Sequence, residues 1–72
     1  MDMKEFRESL KAAIVRDQEW LEKIESILQK VSRRDPANKK IIGPLRRLKR
    51  TVLNDINIYE KFLAKTAKFK ND

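Results

Sequence analysis

Eight cations fall within the eighteen positions from Arg33 to Arg50: Arg33, Arg34, Lys39, Lys40, Arg46, Arg47, Lys49 and Arg50. Asp35 is the only acid among them, so this window carries +7, the entire net charge of the chain. Elsewhere the 72 residues hold ten cations and ten acids, which cancel. A guanidinium presents a planar fork of donors that matches two oxygens of a phosphate or carboxylate, and five of the eight cations are arginines. The chemistry on offer is therefore polyanion binding, with nucleic-acid phosphates or an acidic protein surface as the expected partner. No aromatic residue interrupts the window, so base stacking is not expected and contacts would fall on the phosphate backbone. The plain alternative is that a run of charge is only a solvated face. Arg33 and Arg34 fit that alternative, because cations belong at a helix C-terminus.

Little else in the chain could do chemistry. There is no His, no Cys and a single Gly, Gly43. The groups that usually act as nucleophile, base or phosphate-cradling loop are thus missing, and no enzymatic activity, cofactor or small-molecule substrate is expected. Glu19, Glu22 and Glu25 form a ladder of three-residue steps. Without a histidine beside them they read as a solvated helix face and not as a metal site. Absence of Cys and His also removes disulfides and transition metals as staples. A chain this short buries only roughly 60% of the surface its unfolded form exposes, which leaves self-association or docking as the compensation.

The elements that position the basic window follow from hydrophobic spacing. Met3, Phe6, Leu10, Ala13, Ile14, Trp20, Leu21, Ile24, Ile27, Leu28 and Val31 recur in steps of three and four, which predicts a helix over 3–33. Asp2 and Glu5 at its start, with Lys30, Arg33 and Arg34 at its end, oppose the helix dipole. Leu45, Leu48, Val52, Ile56, Tyr59, Phe62, Leu63 and Phe69 repeat the pattern and predict a second helix over 44–69. Asp35-Pro36 and Gly43-Pro44 read as two breaks, with Pro44 opening the second helix and 34–43 forming the bend, with room for one extra helical turn at 36–42. Arg46, Arg47, Lys49 and Arg50 then occupy the first two turns of that helix, where the dipole disfavours cations. Such a conflict is expected where function overrides stability.

Two matched amphipathic helices and a short bend predict an all-α antiparallel hairpin, a single domain over 1–72. A bend centred near residue 38 sets Val31 against Leu45, Ile24 against Val52, Trp20 against Ile56, and Phe6 near Phe69. Trp20 is expected in the core, with an interface anchor as the alternative. Asp17 interrupts the first stripe opposite Tyr59, where it either bonds the phenol or lies at the edge of the stripe in water. The doublets Ala13-Ile14, Trp20-Leu21 and Ile27-Leu28 make the first helix too apolar for one neighbour. Val15 and Ile58 lie off the stripes as well. A homodimer forming a four-helix bundle is therefore expected, with Ile14, Trp20, Leu21, Ile27 and Leu28 at its interface. No apolar leader and no run approaching the ~20 residues of a membrane span is visible, so a cytoplasmic location without membrane contact is expected.

Overall fold

The computed structural model describes residues 2–69 as two long helices packed against each other, with no strand among them. Helix α1 is Met3–Arg34, helix α2 is Lys39–Lys65, and a 3₁₀ turn, Ala67–Phe69, follows. The long axis of the hairpin measures 52 Å.

Local chemistry sets the start of α1. The Asp2 carboxylate accepts a hydrogen bond from the Glu5 amide at 2.8 Å, satisfying one of the donors that a helix start leaves unpaired. At the other end the Asp35 amide donates to the Val31 carbonyl at 2.8 Å. Asp35 then leaves the helical region, as a residue before proline is driven to do. Its carbonyl accepts from the Asn38 amide at 3.0 Å, which closes a four-residue turn with Pro36 in its second position.

The bend is thus 35–38, shorter than the expected 34–43, and α2 begins five residues before Pro44. Proline inside a helix removes the amide that would bond the carbonyl four residues back, here Lys40, and crowds that carbonyl. Two features let α2 run through it. Gly43, the residue before the proline, has no Cβ, which removes one of the clashes that drive a pre-proline residue out of the helical region. Ile42 is buried in the hairpin, and burying such a side chain stabilises by roughly 1.5–3 kcal/mol, enough to offset one missing helix bond. At its far end α2 stops at Lys65, and Phe69 belongs to the 3₁₀ turn and not to a continued helix.

The core is narrow. Leu10, Ile24, Ile42, Val52 and Ile56 are the buried apolar residues among those described. Ile24, Val52 and Ile56 form one cluster, with Ile14, Leu21 and Leu45 packed around it. The expected meeting of Ile24 and Val52 is present in that cluster. Trp20 is not beside Ile56 in the core: it is 45% exposed. A seam between only two helices accepts one stripe from each, and Ile14, Leu21 and Ile24 fill it, which leaves Trp20 and Ile27 on its flank. At the open end Phe6 packs edge-on against Phe62, ring centroids 6.3 Å apart, where Phe69 was expected as its neighbour. Phe69 lies past the end of α2, in the 3₁₀ turn, and Phe62 is the aromatic residue that the last turns of α2 bring to Phe6.

Candidate polyanion interface

Seven of the eight window cations project into water. Arg33 and Arg34 close α1, Lys39 and Lys40 open α2, and Arg46, Arg47 and Arg50 follow on its outer side, all exposed. Lys49 differs. It is half-buried and its ammonium lies 3.6 Å from the Glu25 carboxylate across the hairpin. No other ion pair involving the window occurs among the described residues. The positive charge is therefore almost wholly unspent within the molecule.

Helical spacing arranges these cations in two rows. Lys39, Arg46 and Arg50 follow one another at seven and four residues, and Lys40 and Arg47 at seven, so each row shares a side of α2. Arg46 and Arg50 are about 6 Å apart along the axis. Arg46, Lys49 and Arg50 also line a shallow groove of about 340 Å³ whose remaining walls are Leu28 and Leu53. Next to it lies a second groove walled by Glu22 and Glu25. Lys49 thus stands at a boundary where the basic end gives way to the acidic middle of α1.

The start of α2 at Lys39 corrects the dipole reading of this window. Arg46, Arg47, Lys49 and Arg50 lie beyond the first turn, outside the short reach of the helix end. The conflict falls instead on Lys39 and Lys40, in a first turn that contains no acid.

The structure separates the five expected interface residues. Ile14 and Leu21 pack into the hairpin's own core. Leu28 is half-buried beside the basic groove. Trp20 and Ile27 remain exposed, at 45% and 47%. Asp17 is half-buried, with its carboxylate 3.7 Å from the Arg16 guanidinium, and none of the described hydrogen bonds joins it to Tyr59.

Sequence reasoning missed Arg7. It is buried, and its Nη1 donates to the Leu63 carbonyl and to Thr66 Oγ1, both at 2.7 Å. The Thr66 hydroxyl in turn donates to the Phe62 carbonyl at 2.6 Å. A cation of α1 thereby satisfies the carbonyl end of α2, where the dipole favours positive charge. The signal was available: Arg7 lies three residues before Leu10, on the stripe that must face α2.

Among the described residues no three or more acidic, His or Cys side chains are grouped to hold a metal ion. No described helix is long and apolar enough to cross a membrane. Compared with protein-family models, with curated proteins and with solved structures, the chain matches none.

Proposed function

We propose that this chain is a small non-enzymatic accessory or regulatory protein that binds nucleic acid through phosphate contacts at its basic bend, and that it acts as a homodimer in the cytoplasm. The observation that carries the reading is the unspent charge: seven exposed cations clustered at one end, with no ion pair among the described residues. A charge excess held only for solubility needs no clustering. Phosphate binding does, because neutralising several adjacent phosphates releases their counterions together.

The test is titration of the protein with duplex DNA and with RNA at two salt concentrations. The reading expects binding at low salt that weakens steeply as salt rises, with little dependence on base sequence. Absence of binding to either nucleic acid at low salt refutes it. A second reading, an adaptor or inhibitor for an acidic protein, is favoured by the groove in which Leu28 and Leu53 lie beside Arg46 and Arg50. That combination suits an acidic amphipathic segment, and this reading takes precedence if nucleic acid does not bind.

A further inference from the structure

The two broad faces of the hairpin differ in kind. Lys49 reaches Glu25, and Leu28, Lys49 and Leu53 line one groove. These contacts fix which sides of the helices coincide. On α1 the front side holds the residues one and four after Ile24, Glu25 and Leu28, and on α2 it holds Lys49, three before Val52. The back is therefore the other flank of each seam residue. On α1 it holds Trp20 and Ile27, four before and three after Ile24, and on α2 Leu48, four before Val52. Seven-residue steps from Leu48 add Ile41, Asp55 and Phe62 to the same row.

Five of the eight exposed large apolar side chains lie on this back face: Trp20, Ile27, Ile41, Leu48 and Phe62, each between 37% and 47% exposed. Leu53 is on the front, and Val15 and Ile58 are on the outer edges. Side chains of this size at such exposure offer on the order of 80 Å² each, so two copies would cover about 800 Å² of apolar surface. Interfaces are roughly 60% apolar, which implies about 1,300 Å² in total, within the range of stable specific pairs. A second copy of the chain supplies a face of the same shape and the same heptad spacing, as a two-fold interface requires.

Charge decides the orientation. Bends at the same end would set one +7 window beside another. With the copies reversed, each window lies beside the partner's open end, where residues 2–12 and 60–69 hold six cations and four acids, net +2. We infer that two copies pair back to back through Trp20, Ile27, Ile41, Leu48 and Phe62, with their basic bends at opposite ends of the bundle. The pairing itself does not depend on the nucleic-acid reading. Its consequence does: such a dimer carries two polyanion sites about 50 Å apart, facing away from each other, and joins two nucleic-acid segments.

The chain has no cysteine, so Ala37→Cys, at the exposed turn, gives one spin label per protomer. Dipolar spectroscopy is expected to find the two labels about 50 Å apart, near the length of the hairpin. Bends at the same end would bring them within roughly 20 Å, given the 8–10 Å spacing of packed helices, and that result overturns the orientation. A monomer at tens of micromolar in sedimentation overturns the pairing. Trp20→Glu should weaken dimerisation by at least tenfold, whereas Val15→Glu on the outer edge should leave it unchanged. Equal effects from the two variants overturn the assignment of the face, and the label distance decides the orientation even if Trp20→Glu fails to fold. Long label separation with no binding to DNA or RNA supports the dimer and refutes the nucleic-acid reading. Binding of nucleic acid without co-capture of a second labelled duplex overturns the bridging.

Discussion

Replacing Arg7 by Met should destabilise the hairpin far more than replacing any exposed cation. Methionine keeps the apolar stem and deletes only the guanidinium. Two hydrogen bonds of 2.7 Å are lost, and the Leu63 carbonyl loses its charged donor. Bonds to a charged group contribute about 1.5–3 kcal/mol each in protected sites. The open end of the hairpin admits water once the guanidinium is gone, so the summed loss should be nearer 2 kcal/mol than the maximum of the two bonds together. A core this small supplies only about 3–5 kcal/mol, so the loss is a large fraction of the whole. With 4–8 °C of melting temperature per kcal/mol for a domain of this size, the midpoint should fall by roughly 10 °C. Circular dichroism melts at equal protein concentration measure it, since association makes the midpoint concentration-dependent. Thr66→Val should cost less, and the double variant should show coupling, because both groups belong to one network. An Arg7→Met midpoint within about 2 °C of the unaltered chain would refute the assignment of Arg7 as the clamp of the open end.

Pro44→Ala should stabilise, because it restores an amide to bond the Lys40 carbonyl within a helix that is already continuous. The gain should be about 1–2 kcal/mol once the lost rigidity of the unfolded chain is deducted, and a drop in stability would show that Pro44 shapes the bend instead. Asp2→Ala should cost about 1 kcal/mol by chemical denaturation through loss of the Glu5 amide bond, and no change would remove Asp2 as the cap of α1. Replacing Lys39 and Lys40 with Gln should add a few tenths of a kcal/mol, whereas the same change at Arg46 and Arg50 should add nothing, because only the first pair lies at the helix start. Trp20, the single tryptophan, should show the emission of a solvated indole at high dilution and a blue shift as the protein associates. A concentration-independent spectrum would count against its lying in the dimer face.

The hairpin was legible because the spacing of three and four on both sides of Asp35-Pro36 admits only helices, and because Ile24 and Val52 had to meet. The start of α2 was not legible. Gly43-Pro44 carries the local signature of a break, but burial of Ile42 outweighs the one helix bond that Pro44 removes. From that error followed the misplaced dipole conflict, whereas the mismatched Phe6 partner follows from α2 ending at Lys65, before Phe69. Trp20 lies on the flank and not against Ile56 in the core, because hydrophobicity marks a residue for burial without saying by what. A two-helix seam has room for one stripe, and the second stripe is apparent only once the first is filled. The basic cluster needed no structure, since it is a fact of composition and order. What the fold adds is that Lys49 is engaged by Glu25 and the other seven cations are not.

The central claim, that the basic end binds phosphates, is tested most directly by the salt dependence of DNA binding with and without Arg46, Arg47 and Arg50. Five phosphate contacts imply a log–log slope of about −4 to −5 on duplex DNA. Substituting Gln at the three positions should make that slope shallower by roughly 2 to 3 and leave helicity unchanged, because none of the three arginines has a partner within the hairpin. A variant that binds with the same slope as the unaltered chain would contradict the account.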